Sequence, residues 1–518
     1  MVNEFTLRPP ASVKEASYRA EKLIGTKRSP KPIVIVDTLF ALAFLRQNRY
    51  RPAMRVLLLT AVFCFIVGCA SFGERTIKIR NEFANGDLEK ANAEIDKALK
   101  RKKQSDGDLL KLNRAVIALS SGKPREAEIL LREVRDRFDQ HDREREKRVA
   151  QKALSMVTDD NAVAYAGEDY EKVLIRVFLA LSNLMYDGTD APAYALQVGH
   201  KQSEIIQKGI VQDPKDSQKK VNPKANSYRQ VAIGQFLIGA MQEATFRNHD
   251  DVIKAYEAVN TWEPGFTQGR QDLERARRGV HAQPGNGVVY VFALVGSGPY
   301  KEQRNCEVLQ EAQIWTTLFI TLLSNRPTLP DFAPVMIPCI VRPRDAVSAL
   351  SVSIGGQWNA HTETLTDIGR MAEEQFEAIQ PQIIGRAVAR RTLKKGILYG
   401  TKEVLDTDPW VGLAMDVGAM IWESMETADT RCWNLLPAEI QVTRLEVPAG
   451  EHQLTLQPLS RVYSLSRRGY IASERSARIG SAQSKTIRVE PGRNTYVLAN
   501  YPGDELVGEI VVSNELMQ

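Results

Sequence analysis

Two closely spaced acid pairs, Glu373/Glu374 and Glu423/Glu426, are the residues that could supply general acid and base chemistry, of the kind that cleaves a glycosidic bond between facing carboxylates. Helical acids are common on solvated faces, and neither pair has a convergent partner in the sequence, so both are read as surface charge. The six histidines carry no HExxH and no pair at i, i+4, and no GxSxG or Cys/His arrangement marks a nucleophile. "GSGP" at 296–299 lacks the spacing of a phosphate loop. Of five cysteines, Cys306, Cys339 and Cys432 stand far apart without CxxC spacing, which argues against zinc and leaves room for one disulfide at most in an oxidising compartment. The chain is therefore not expected to be an enzyme, and no metal or cofactor is expected.

The remaining two cysteines, Cys64 and Cys69, lie in a different setting. After a single cation, Arg55, a nearly unbroken apolar run extends from Val56 to Val67 and ends in Gly68-Cys69-Ala70-Ser71. About fourteen residues at a rise of 1.5 Å cover roughly 20 Å, short of the ~30 Å hydrocarbon core, so a spanning helix is disfavoured against a signal-peptide core. Ile66-Val67-Gly68-Cys69 resembles the bacterial lipoprotein box. That resemblance implies that the Cys69 thiol receives lipid, that cleavage makes Cys69 the first mature residue, and that the acyl chains hold the protein on a membrane, at ~0.8 kcal/mol per buried CH₂. The absence of aspartate after Cys69 implies, by bacterial sorting rules, an outer-membrane location facing the periplasm. Residues 54–68 are then the signal peptide. Residues 1–53 are expected to be an extension from a start site set too early, with Met54 the initiator; the rival is a leader that stays attached.

What must be positioned behind this anchor is large. A chain of 518 residues suggests two or three domains, and 43% hydrophobic and 25% charged residues are ordinary for globular protein. A net charge of +6 is a mild excess, and the run Asp139–Val149 interleaves acids with bases, so it reads as a solvated helix face and nucleic acid is not an expected partner.

Residues 69–284 read as helical. "NGDLEKANAEIDKALKR" and "SGKPREAEILLREVRDRF" align with Gly86 over Gly122, Ala91 over Ala127, Ile95 over Leu131 and Ala98 over Val134, at a spacing close to that of tetratricopeptide (TPR) repeats. Glycine relieves the turn between paired helices and alanine lets them approach. Tyr170, Val173, Val177, Leu181 and Leu184 form a further apolar stripe before a break at Gly188, and helical pairs continue to about Phe266. Stacked pairs of this kind would form a solenoid suited to holding another protein. Residues 285–434 mix strands with helices: Val288–Val295 reads as a strand, Thr362 to about Tyr399 as a helix, and 409–425 as an apolar helix buried against sheets, the rival reading being a membrane-contacting or pore-forming helix. Residues 435–518 alternate apolar residues around Pro448-Ala449-Gly450 and Pro491-Gly492, as in a small antiparallel sandwich. The expected class is α+β and multidomain: a TPR-like α-solenoid, a mixed α/β region and a C-terminal β-sandwich.

The ordered set "YEKVLIRVFLALSNLMYDG", "GVVYVFALVGSGPYKEQRN", "ADTRCWNLLPAEIQVTRLEVPAGEHQLTL" and "GRNTYVLANYP" resembles a family of bacterial TPR-containing outer-membrane lipoproteins of unknown biochemical role. The most specific piece is 428–444, with Asp429, Arg431, Trp433 and Pro437, followed by Gly450. In the family it resembles, gene placement is similar to that of a penicillin-binding-protein activator and a curli-secretion-like lipoprotein, which implies an envelope-assembly setting and supplies no catalytic residues. "VPAGEHQLTL" and "VEPGRNTYVL" resemble the hairpins of surface-associated PEGA modules. The implied partners are other envelope proteins or lipoproteins and the membrane through the lipid anchor, with peptidoglycan as an alternative ligand and cell-wall hydrolysis as a weaker one. The expected function is a lipid-anchored scaffold of the cell envelope.

Overall fold

The computed structural model describes residues 71–100, 106–147, 165–212, 219–221, 228–245, 248–305, 336–405, 428–465 and 471–513. Cys69 with Ile66, Val67 and Gly68, the extension 1–53, the apolar stretch 409–425 and the pair Glu423/Glu426 lie outside these residues. Cys69–Gln518 forms one compact unit of mixed helices and strands.

The chain opens with α1 (Phe72–Ala84), α2 (Leu88–Lys100), α3 (Gly107–Ser120), α4 (Pro124–Lys147), α5 (Asp169–Leu184), α6 (Ala191–Gly209), α7 (Ile233–Glu243), α8 (His249–Trp262) and α9 (Gln268–Arg278). Successive helices make the main helix-to-helix contacts. The turns after α1 and α3 close alike: the Asp87 amide donates to Glu82 O and the Lys123 amide to Ala118 O, each five residues back and each at 2.9 Å. Such a C-cap needs a left-handed residue just before the donor, and Gly86 (φ 80°) and Gly122 (φ 70°) supply it. The turns before α6 and α8 use Gly188 (φ 69°) and Asn248 (φ 53°). Ala91, Ala127, Ile95, Leu131 and Val134 are buried, whereas Ala98 is partly buried at the margin of the core.

Helix α5 departs from a one-faced stripe. Every residue from Tyr170 to Leu184 is buried, including Glu171, Lys172 and Arg176. Its cations explain part of the charged run on α4: Arg176 pairs with Asp139 at 2.6 Å, Lys172 with Asp142 at 2.8 Å, and Lys201 of α6 with both acids. Asp139 and Asp142 thus turn inward, which corrects the expectation of a wholly solvated face. Burial disfavours their charge, but Arg176 and Lys201 beside Asp139, and Lys172 beside Asp142, outweigh it and hold both carboxyls below the usual range.

The short pair β1 (Ile210–Gln212) and β2 (Lys219–Val221) precedes α7. Then follow β3 (Asn286–Ser297), the pair β4 (Tyr300–Asn305) and β5 (Met336–Val341), β6 (Ala349–Ile354), β7 (Trp358–His361), β8 (Glu363–Asp367), α10 (Ile368–Leu405), β9 (Pro437–Pro448), β10 (Gly450–Leu465), β11 (Ile471–Arg478), β12 (Gln483–Val489), β13 (Asn494–Tyr501) and β14 (Val511–Val512). One sheet has the order β14-β13-β3-β9-β8; the other runs β11-β10-β6-β7, with β12 also on β10. Val289, Val291, Ala293 and Val295 of β3 share a core with Leu350, Val352, Leu454 and Leu456 of the second sheet. The alternate residues Val288, Tyr290, Phe292 and Leu294 share a core with the helices. A strand covered on both faces requires an unbroken apolar run, which is what 288–295 provides.

This central strand alters the expected domain plan. β3 lies between β9, which it pairs antiparallel, and β13, which it pairs in parallel. Strands from 285–434 and 435–518 therefore share both sheets, and 434/435 is not a boundary between bodies. The last eighty residues do not close a sandwich by themselves. Pro448-Ala449-Gly450 and Pro491-Gly492 carry the chain from one sheet to the other, rather than turning a hairpin within one. Both crossings are tied to the start of β3: Ala449 N donates to Gly285 O at 2.9 Å and Gly492 N to Asn286 O at 2.7 Å. Residues 363–367, expected to begin a helix, form β8 because Leu365 is buried and the strand pairs with β9; α10 starts at Ile368.

A fragment of residues 435–518 lacks the strand that separates β9 from β13. It is expected to show no cooperative urea transition, whereas residues 71–518 unfold cooperatively; a sharp, two-state transition in the fragment would contradict this topology.

Candidate functional site

The signature segment 428–437 is short and polar at one end, apolar at the other, and it runs beneath the first helices. Thr430 Oγ1 accepts the Gly73 amide of α1 at 3.0 Å. Asn434 Nδ2 donates to Thr76 Oγ1 at 2.7 Å, and its Oδ1 accepts Asn113 Nδ2 of α3 at 2.9 Å. Trp433 is fully buried, its ring 5.2 Å from that of Phe178 on α5. The Trp433 amide donates to Glu171 at 2.7 Å. Arg431 clasps Asp429 through Nε and Nη2, at 2.9 and 2.7 Å, and lies over the Tyr165 ring at 5.3 Å. Pro437 then opens β9 opposite Ser297 of β3.

Glu171 is the unexpected member. It also accepts the Tyr165 hydroxyl at 2.6 Å and the Glu168 amide at 3.0 Å, the latter as part of the α5 capping box. Burial, and next the Glu168 carboxylate, push its pKa above the ordinary 4.5. Lys301 of β4 is buried beside it and pairs with Glu168 at 2.5 Å; although burial disfavours the ammonium, that carboxylate keeps its pKa above the usual lysine value. Cys432 is buried in the same place, and burial pushes its thiol up to about 12. A thiol so hard to ionise is a poor nucleophile. The junction holds a dehydrated carboxylate, thiol and ammonium, yet its hydrogen bonds run between elements of the fold.

Four signature residues, Asp429, Arg431, Trp433 and Pro437, are thus gathered at one junction. Gly450 is not: it lies at the far end of β9, where β10 begins opposite Val489, with φ 146°. The end of α3, two residues before the repeat glycine Gly122, is linked to the β body, since Glu509 N donates to Ser120 O at 2.8 Å and Asn500 Nδ2 to Ser120 Oγ at 2.9 Å.

A cavity of about 200 Å³ opens beside the junction, lined by Arg80 and Phe83 of α1, Gly296, Ser297, Gly298, Tyr300, Asn434–Pro437, Asn500 and Pro502. Three segments quoted for the family resemblance meet there. Arg80 stacks on the Tyr300 ring at 3.4 Å, and its Nη1 has no hydrogen-bond acceptor. Gly298 allows the close approach, because a Cβ there would lie 2.2 Å from Leu436 O. The cavity offers a cation against apolar walls.

A second buried network sits under α7–α9. Arg275 donates to Glu243 at 2.7 and 3.0 Å and pairs with Asp272 at 2.7 Å, while the Tyr256 hydroxyl donates to Glu243 at 3.2 Å. Burial raises the Asp272 pKa; it disfavours the Glu243 charge too, but the His281 ring 3.6 Å away and the hydrogen bonds from Arg275 outweigh it and hold Glu243 low. Arg444 of β9 donates to His281 O, joining this network to the sheet.

Among the described residues no group of three or more His, Cys, Asp or Glu is placed to hold a metal ion, and no helix is long and apolar enough to cross a membrane. Glu373 and Glu374 lie in the first turns of α10, half-buried, with Glu374 3.9 Å from Arg229. Compared with known proteins, the chain matches no family model, no curated protein and no solved structure.

Glu171 provides a test of the junction. A carboxyl whose pKa is higher in the folded than in the unfolded chain favours folding below pH 4.5, and that contribution is lost as pH rises through the folded value. Glu171→Gln removes the titration, so its urea midpoint is expected to fall less steeply from pH 4.5 toward neutrality than that of the parent; parallel profiles would contradict the assignment.

Proposed function

We propose that this protein is a lipid-anchored scaffold of the bacterial cell envelope, held at the outer membrane through Cys69 and binding other envelope proteins with its TPR-like helical array. The observation that carries this reading is the outer surface of α4 and α6. Ile129 is 59% exposed and Leu196 53%, on two helices joined by the bonds from Arg132 to the Tyr194 hydroxyl and from Arg135 to Gln197. Arg125 lies over the Tyr186 ring at 5.5 Å and Arg135 over the Tyr194 ring at 6.0 Å. Arginine and tyrosine are enriched at protein-binding hot spots, and here they lie beside two exposed aliphatic side chains.

The division of labour supports the same reading. Glu171, Lys301, Cys432, Glu243, Asp272 and Arg275, all with displaced pKa values, stand where helices join sheets, which favours recognition by surfaces over a reactive centre. The two-sheet body serves as the platform that fixes the array.

The test is periplasmic crosslinking of the full-length protein followed by co-purification. Discrete partners are expected from the parent. Ile129→Asp combined with Leu196→Asp should remove most of that yield, and it should leave stability within about 0.5 kcal/mol per substitution, as is usual for exposed positions. Recovery of no discrete partner from correctly localised protein, or unchanged recovery with the folded double variant, would count against the reading.

A further inference from the structure

We propose that the face formed by the first turn of α1 and the adjacent strand β4 lies flush against the lipid bilayer, so that the scaffold stands on its membrane in one fixed orientation. The proposal rests on the lipid-anchor reading of Cys69 and adds to it which surface meets the headgroups.

Almost no chain separates the lipid-bearing position from the locked fold. Ser71 is already the N-cap of α1: its hydroxyl accepts the Glu74 amide at 3.4 Å and its own amide donates to Glu74 Oε2 at 2.9 Å. Ser71, Phe72 and Gly73 are buried. The Gly73 amide is held by Thr430, and a Cβ at Gly73 would lie 2.6 Å from the Lys301 carbonyl of β4, so this turn is pressed against the strand. Gln303 of β4 donates to Glu74 at 3.4 Å. Only Ala70 lies between Cys69 and the cap, and two residues reach no more than ~7 Å. A flexible linker of about ten residues would instead span ~17 Å in root-mean-square terms and leave orientation free.

The surface beside this point suits a bilayer interface without requiring a charge match. Ile77 on α1 is 42% exposed, next to the exposed Lys78. Arg304 and Glu302 on β4 have side chains 61% and 44% exposed, and Glu74 is also exposed. Both signs are present, so apposition is imposed by covalent reach and not by attraction to anionic lipid. A reference point at the far end of β3 is the β12–β13 turn, where the Arg493 carbonyl accepts the Val288 amide at 3.0 Å and the Arg493 side chain is 78% exposed. β3 runs from there toward α1 over 12 residues, roughly 36 Å from Asn286 to Ser297.

The experiment uses the full-length protein, produced in a bacterial host that processes lipoproteins and reconstituted in vesicles of phosphatidylethanolamine and phosphatidylglycerol. Cys306 and Cys339 are replaced by serine, and a fluorophore is placed at Lys78→Cys or at Arg493→Cys. Quenching by a lipid spin-labelled at its headgroup is expected to be several-fold stronger at position 78 than at 493, and to persist when salt is raised from about 0.1 to 1 M, where the screening length falls to ~3 Å. Inserting a Gly/Ser linker of about ten residues between Ala70 and Ser71, a span of ~17 Å, should reduce quenching at position 78 several-fold. Mass spectrometry of the N-terminus runs in parallel. With Cys69 acylated, equal quenching at both sites, loss of the difference in high salt, or indifference to the linker would overturn the orientation alone. An unmodified Cys69 would overturn the anchor reading and the orientation with it.

Discussion

The Trp433 amide and the Glu171 carboxylate meet at 2.7 Å in a place closed to water, and the joining of helices to sheets depends on that contact being kept. A buried carboxylate is tolerated only where donors replace its lost hydration, and Glu171 has four: the Trp433 amide, the Glu168 amide, the Tyr165 hydroxyl and, at 3.5 Å, the Tyr170 hydroxyl. Moving 428–437 away would strip one of them and expose Phe178 and Trp433. The same segment fixes α1 through Thr430, α3 through Asn434 and the central sheet through Pro437. These contacts span 262 to 358 residues of chain, so the N-terminal helices cannot acquire their final seating until the C-terminal third is present.

The features legible in the sequence were those with local causes. Gly86 and Gly122 mark turns because only a left-handed residue closes that cap, and Ala91 and Ala127 recur where helices press together. The unbroken run 288–295 marked a strand. Its place between β9 and β13 could not be read, since periodicity says which faces are apolar and nothing about which neighbour pairs with which edge. Trp433 and Arg431 were singled out through resemblance, but Glu171 was not: inside "EDYEKVLIRV" it looks like any first-turn acid, and its partner lies 262 residues away. Asp139 and Asp142 were hidden in the same way, because a run of alternating charges does not reveal which members face Lys172, Arg176 and Lys201.

Displaced pKa values often mark reactive sites, yet six of those here sit at mechanical joints. Glu171, Lys301 and Cys432 sit where α1, α3 and α5 meet the 428–437 segment; Glu243, Asp272 and Arg275 sit under α7–α9, joined to β9 through Arg444 and His281. Asn494 adds a bond from β13 to Ala240 O at 2.8 Å. An array seated at two places holds its outer helices as a fixed surface, and the cavity beside Arg80 lies at one of these seats.

Native-state hydrogen exchange tests most directly whether helices and sheets are one mechanical body. The Gly73 and Trp433 amides, both held across the junction, are predicted to exchange with the same opening free energy and denaturant dependence as the Val291 amide in β3, because all three are released only by global unfolding. Exchange of Gly73 and Trp433 through a smaller opening, while Val291 stays protected, would show that the helices lift from the sheets as a separate unit and would contradict the account.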